Sequence, residues 1–405
     1  MKSARWDRAD VITEVRRDIW RHLTAAAKTD EDLVLDAASL LQMPSVEVRA
    51  LAQVQFILSS QVDKLLAQMP VLIRVLTTTT EQELEVSSER IRGAIRWSET
   101  FGARAVSGMP HIFVTAPARR AFSTPENELL KFVLNAIADF GKRTGWHRST
   151  SANAGDEVRR RVAAAVRWTH TQTLGEVPAR VPTSTSVSRV RGGRARRPFQ
   201  PALDVYALYS RFVARLDRGA IRAAVEHHAL VTSRDSVLLE LLCAFKIIAG
   251  LRALGWRTGA PGLLRPPLLL RAAKGSAILS LYYQHAPRRL GTPSVYREVQ
   301  RAHEFASVGG LIPDFVLHLE CPGIARWFLV EVKGVERAVE DSARAAARDL
   351  LAYRRAFRSS LRNQAGPYAI GVGWGRELEP SRDEEIVLCS PDTLVEALDL
   401  VLSHA

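Results

Sequence analysis

Three ionisable residues, Asp314, Glu331 and Lys333, sit inside two otherwise apolar runs, LIPDFVLHL (311–319) and RWFLVEVKG (326–334). Charged side chains are rarely buried unless they are paired or bound to a metal. Two converging carboxylates are what a hard divalent cation needs, and Mg2+ keeps several waters besides. Such a cation polarises a phosphoryl oxygen and lowers the pKa of a water. A lysine alongside can help to deprotonate or align that water, or neutralise charge in the transition state. The carbonyl of Val332 could complete the metal shell, and Gly334 leaves room for close backbone approach. The expected cofactor is Mg2+, with Mn2+ as a substitute. The same trio could also be a salt-bridged cluster at a strand edge, without chemistry.

The elements that must position these residues follow from periodicity. Strand alternation puts Glu331 and Lys333 on one face with Trp327 and Leu329, and Phe328, Val330 and Val332 on the other. Asp314 shares a face with Ile312 and Val316. Between the runs, ECPGIA carries Pro322 and Gly323, which favour a turn and an antiparallel hairpin. The start of the first strand then lies near the end of the second, and Asp314 can meet Glu331.

The flanking segments read as helix (234–256), three strands (276–284, 311–319, 326–334), helix (340–361), two strands (368–375, 385–390) and helix (391–405). That order describes an α/β fold with one mixed central sheet flanked by helices. Residues 1–175 read as mainly helical, with SVEVRALAQVQFILSSQVDKLLAQM as one long amphipathic run. Within them, the stretch around Gly93 up to Trp97 and HIFVTAP (111–117) could pair as short strands. STPENELLKF starts a helix with Thr124 as cap and Pro125 in the first position. Residues 176–200 mix Pro, Ser, Thr and Gly with Arg189, Arg191, Arg194, Arg196 and Arg197. They read as a basic linker, and equally as a phosphate-contacting arm or a merely solvated connection. The expected division is therefore 1–175, 176–200 and 201–405.

Pro313-Asp314 followed by an apolar strand bearing Glu331-x-Lys333 resembles the PD-(D/E)xK nuclease superfamily. The resemblance implies a restriction-endonuclease-like core and metal-dependent phosphodiester hydrolysis through Asp314, Glu331 and Lys333. Such cores often add an acidic residue from the preceding helix, and Glu240 is the match. ARDLLAYRRAF (347–357), with Asp349 and Tyr353 one turn apart, is similar to a helix of McrC-like restriction nucleases, although it lacks a Gln at the first motif position. There a tyrosine such as Tyr353 approaches the site or the DNA backbone. RIRGAIRWSET and FSTPENELLKFVL resemble the upstream region of the same group, so the likeness runs from about residue 90 to 375. It implies a DNA endonuclease in a restriction or anti-phage defence setting, beside a nucleotide-driven motor.

Composition sets outer bounds. The 405 residues are 47% hydrophobic, which argues against wholesale disorder. Lys and Arg number 56 against 43 Asp and Glu, a net charge of +13 that suits a polyanion partner and is equally explained by arginine-rich usage. Cys243, Cys321 and Cys389 form no CxxC, so neither a disulfide framework nor a zinc site is expected. No apolar run is long enough for a membrane span or a signal peptide, and a cytoplasmic location is expected. His111, His303 and His318 lack partners at ligand spacing, and adjacent His227 and His228 do not share a helix face. GWGRE (373–377) is too short for a phosphate loop, and no GxxxxGK[ST] motif is present, so a motor must be a separate chain. Two cuts in a duplex would suit a homodimer. The competing reading is an inactive nuclease-like adaptor that binds DNA and docks a motor; an RNA-directed nuclease is a third.

Overall fold

The computed structural model describes residues 7–142, 151–194, 196–258, 267–291, 311–334, 339–361, 366–374, 378–380 and 385–403. His303 and most of GWGRE lie outside them. The chain forms two compact units, Met1–Leu51 with Ile221–Ala405, and Ala52–Ala220. This differs from the division expected from sequence, because the first 51 residues belong with the C-terminal half.

The chain opens with α1 (Arg8–Ala26), α2 (Asp30–Leu40) and α3 (Ser45–Ile57), the last leading into the second unit. That unit continues with α4 (Ser60–Leu72), strands β1 (Thr79–Gln82), β2 (Glu85–Ser87) and β3 (Ala94–Ile95), α5 (Trp97–Ser107), β4 (Phe113–Ala116) and β5 (Ala118–Ala121). The run expected as one long helix breaks between α3 and α4, where the Ser59 hydroxyl accepts from Val62 N–H at 3.4 Å. The expected short pair forms: Ala94 faces Ala116 and Ile95 faces Thr115. Trp97 starts a helix instead of ending that strand.

Next come α6 (Pro125–Phe140), α7 (Ala152–Thr169), α8 (Gln172–Gly175), α9 (Ser184–Gly192), α10 (Arg196–Tyr209) and α11 (Arg218–Ala224). Thr124 caps α6 and Pro125 is its first residue, as expected. The segment expected as a linker is corrected to two helices. Thr183 caps α9 by accepting from Ser186 N–H at 3.1 Å, and Val187, Val190, Phe199, Ala202 and Leu203 are buried at helical spacing. These sparse apolar positions outweigh the loop-like composition between them.

The first unit resumes with α12 (Leu230–Thr232), α13 (Asp235–Ala253), β6 (Arg257–Thr258), β7 (Leu268–Lys274), β8 (Ala277–Tyr283), β9 (Phe315–Cys321), β10 (Ile324–Lys333), α14 (Val339–Ala356), α15 (Arg358–Leu361), β11 (Ala369–Gly373), β12 (Ile386–Cys389) and α16 (Leu394–Ser403). Among the described residues seven strands form one mixed sheet, in the order β12-β11-β10-β9-β8-β7-β6. The β10–β11 and β11–β12 pairs are parallel and the others antiparallel. All five expected strands form, and β6 and β7 extend the sheet beyond them. Gly323 makes the β9–β10 turn with φ of 80°, a conformation that suits glycine. Among the described residues no helix is long and apolar enough to cross a membrane.

Helix α14 packs on the sheet face that carries Trp327 and Leu329, burying Leu350, Tyr353 and Phe357 with Val316, Ala369 and Ile386. His318 is part of this packing, stacked on Trp327 with ring centroids 3.8 Å apart. Gly371 lets α14 come close. It pairs with Glu331 in the sheet, and a Cβ there would lie 2.6 Å from Leu388 Cδ2 and 3.2 Å from Ala346 Cβ. Gly371→Val is therefore expected to destabilise the protein by about 1–3 kcal/mol through overpacking. A urea titration with an unchanged midpoint would contradict this.

His22 of α1 stacks on Phe245 of α13, with centroids 4.9 Å apart, and its Nδ1 is buried without a hydrogen bond. Burial, followed by the charge of Arg252, lowers its pKa from 6.5 to about 4, against a weaker pull from Asp18. The folded state holds it neutral, so its contribution is fully present above pH 6.5 and is lost as pH falls towards 4. The loss should be on the order of 1–3 kcal/mol. His22→Phe is expected to lose less stability than wild type between pH 7 and 4.5, read from urea midpoints at both values.

Candidate active site

The carboxyl ends of the parallel strands β10 and β11 are where an open α/β sheet usually presents a ligand site. Lys333 ends β10 there, and antiparallel pairing brings the start of β9 and the end of β8 to the same place. Asp314 immediately precedes β9. Since Val330 pairs with Phe315, Asp314 lies opposite Glu331 one step further along the register. Its Oδ2 accepts from Val332 N–H at 2.8 Å, which ties the two strands at the site. The proximity of Asp314, Glu331 and Lys333 expected from the hairpin is therefore present.

Glu331 is 3% exposed and Asp314 8%. Lys333 Nζ lies 2.6 Å from Glu331 Oε1 and 2.8 Å from Asp349 Oδ2. Asp349 comes from α14, so the helix that Gly371 admits also holds the lysine. Glu331 Oε2 is buried and makes no hydrogen bond. An orphaned buried oxygen of this kind costs about 1–3 kcal/mol unless something binds it.

Glu240, in the second turn of α13, joins the cluster. Its Oε2 accepts from Gln42 Nε2 at 2.8 Å, Tyr283 hydroxyl at 2.9 Å and Gln284 Nε2 at 2.9 Å. Gln284 Nε2 also donates to Asp314 Oδ1 at 2.8 Å. Sequence reading missed Gln42, Tyr283 and Gln284. The one local signal for the last two was a polar residue closing the apolar strand SLYYQ.

The electrostatics mark these groups as one cluster. Burial pushes the Asp314 pKa well above its usual value, and the charges of Glu331 and Glu240 add to this. Burial also raises Glu331, against the hydrogen bond and charge of Lys333. Burial raises Glu240, against the three donors on its Oε2. Burial opposes charge on Lys333, but the bonds and charges of Asp349 and Glu331 outweigh it and raise its pKa. Lys333 is thereby held as a cation.

Tyr353, expected to approach the site or the DNA backbone, borders the cluster: it is 6% exposed, its hydroxyl donates to Ile312 O at 3.1 Å, and burial followed by the charges of Glu331, Asp314 and Asp349 raises its pKa. The remaining sequence candidates fall elsewhere. Arg189, Arg191, Arg194, Arg196 and Arg197 are exposed on α9, α10 and the turn between them, in the other unit. His228 is buried, and burial lowers its pKa to about 4.

Among the described residues, no group of three or more His, Cys, Asp or Glu is arranged to hold a metal ion. Mg2+ does not need one, since one or two carboxylates with waters suffice. The donors fit a hard cation: the orphaned Glu331 Oε2, the unused lone pairs of Asp314, and a nearby backbone carbonyl such as that of Val332.

No family model and no curated protein matches this chain. Among solved structures, a chain from the tetradecameric assembly of Thermococcus gammatolerans McrB AAA+ hexamers with bound McrC aligns over 84% of this chain and 66% of its own length, at 10% identity and a TM-score of 0.23. A chain of the Thermococcus gammatolerans McrBC complex aligns over 38% of this chain and 46% of its own length, at 15% identity and a TM-score of 0.22. This chain thus spans less than two thirds of the length of either.

Proposed function

We propose that this protein is a Mg2+-dependent DNA endonuclease, with Mn2+ as an alternative cofactor, acting in a restriction or anti-phage defence system. One observation carries the reading: Asp314, Glu331 and Lys333 converge at one sheet end, with a buried Glu331 oxygen that nothing in the described chain satisfies. Asp314, Glu331 and the Val332 carbonyl would hold the cation. When bound, it would polarise the scissile phosphate and acidify an attacking water. Asp314 keeps its orientation through Val332 N–H and the Gln284 amide. Lys333 stays protonated between Glu331 and Asp349 and supplies positive charge towards the phosphate instead of removing a proton.

The motif resemblance to McrC-like nucleases supports the defence setting and a nucleotide-driven motor as partner. The exposed arginines of α9 and α10 would contact DNA phosphates without reading sequence. A homodimer would supply the two cuts of a double-strand break. The test is plasmid cleavage with Mg2+ by wild type, Asp314→Ala and Lys333→Ala. Cleavage by wild type alone supports the reading. Equal cleavage by all three sinks the site, and DNA binding without cleavage by wild type favours an adaptor.

A further inference from the structure

Two glutamines meet at Glu240, and neither belongs to the cation-binding set described above. Gln284 follows β8 with φ of 48°, and Gln42 follows α2 with φ of 50°. Both lie in the left-handed region that residues with side chains rarely adopt. Backbone of this kind persists where its surroundings enforce it, often at a functional site.

Each glutamine uses the conformation to aim an amide. Gln284 Nε2 donates to Asp314 Oδ1 at 2.8 Å and to Glu240 Oε2 at 2.9 Å, so both its hydrogens go to carboxylates. Its backbone N–H donates to Asp314 O at 2.9 Å. Gln42 Nε2 donates to Glu240 Oε2 at 2.8 Å and to the Tyr283 hydroxyl at 2.9 Å. Arg234 Nη2 donates to Gln42 Oε1 at 3.2 Å, which sets the end of the amide that faces Glu240.

We propose that Gln284 and Gln42 are positioning residues for the divalent cation: Gln284 locks the Asp314 carboxylate, and Gln42 fixes Glu240, which in turn anchors Gln284, so that both set the affinity for the cation. An amide is suited to the task. It donates to two like charges at once without adding a charge that competes with the cation. A lysine at 284 would compete with the metal, and a glutamate would add repulsion. Gln42 brings residues before the second unit into the site, so the nuclease chemistry depends on both halves of the first unit. This inference rests on the metal-site reading above.

The test measures Mn2+ binding to the full chain by electron paramagnetic resonance, for wild type, Gln284→Gly and Gln42→Gly. Glycine suits the left-handed backbone, so each variant removes the amide without adding strain. Both variants are expected to bind Mn2+ about 10- to 100-fold more weakly, as for other groups that orient metal ligands. Cleavage at saturating metal should return to within a few fold of wild type. Should a glycine variant melt early, Gln284→Asn decides on the same readout, with intermediate affinity expected. Wild-type Mn2+ affinity in the folded variants overturns the inference and leaves the endonuclease reading standing. A wild-type protein that neither binds Mn2+ nor cleaves overturns both.

Discussion

Asp314→Asn is expected to lower Mg2+-dependent cleavage by about 10³-fold or more, since a cation contributes several kcal/mol of charge stabilisation and each 1.36 kcal/mol is tenfold. The asparagine keeps the shape and its Oδ1 can accept from Val332 N–H, but its NH2 then faces the Gln284 amide, so the loss combines the charge with one hydrogen bond. Lys333→Met should fall to a similar level for a different reason. Its ammonium is the positive group held at 2.6 Å from Glu331 and 2.8 Å from Asp349. Lys333→Arg is not expected to rescue, because a planar fork cannot replace a compact point charge between two fixed carboxylates. Tyr353→Phe is the control. Its hydroxyl lies beside Glu331 but carries no charge and donates to Ile312 O, so cleavage should change less than about tenfold, and stability by about 1 kcal/mol. Initial rates on supercoiled plasmid at saturating Mg2+ give all four values. A Tyr353→Phe loss as deep as that of Asp314→Asn would remove the special status of the trio.

Much of this site was legible because hairpin geometry is local. Pro322-Gly323 forces the turn, the turn sets the register, and the register places Asp314 opposite Glu331. Asp349 was legible only through the resemblance of ARDLLAYRRAF to a helix of McrC-like nucleases. Tyr353 was harder. Leu350, Tyr353 and Phe357 form a buried stripe, and the tyrosine expected at the site or the DNA backbone belongs to that stripe, beside Glu331. The glutamines were invisible for another reason. Gln42 and Glu240 are 198 residues apart, with the second unit between them, and no local pattern encodes such a contact. The same non-locality hid the pairing of Met1–Leu51 with the C-terminal half. At 184–200 the sequence misled, because composition was read where a few apolar residues at helical spacing decided the outcome.

Stability without metal supplies the second large effect, with opposite signs at neighbouring residues. The Asp314 carboxyl is raised above its unfolded value by burial and by Glu331 and Glu240. Its stabilising contribution is thus fully present below about pH 3.8 and is lost as pH rises through the raised folded value. At neutral pH the carboxyl therefore contributes less stability to the metal-free protein than at low pH. Asp314→Asn removes this pH-dependent cost and, set against the Gln284 hydrogen bond it gives up, should raise the melting temperature by about 2 °C, or roughly 1 kcal/mol. Lys333→Met does the reverse. It leaves Glu331 and Asp349 facing each other without a counter-ion, and should cost about 1–3 kcal/mol given the partial exposure of the lysine. Mg2+ at about 100 times its dissociation constant should stabilise wild type by about 2.7 kcal/mol and Asp314→Asn by far less. Scanning calorimetry with and without Mg2+ at pH 7.5 reads all of these. Equal Mg2+ stabilisation of wild type and Asp314→Asn would place the cation elsewhere. Stabilisation by Asp314→Asn alone and by Mg2+ on wild type, but no further gain from Mg2+ on Asp314→Asn, would identify the buried carboxylates as strain that the cation relieves.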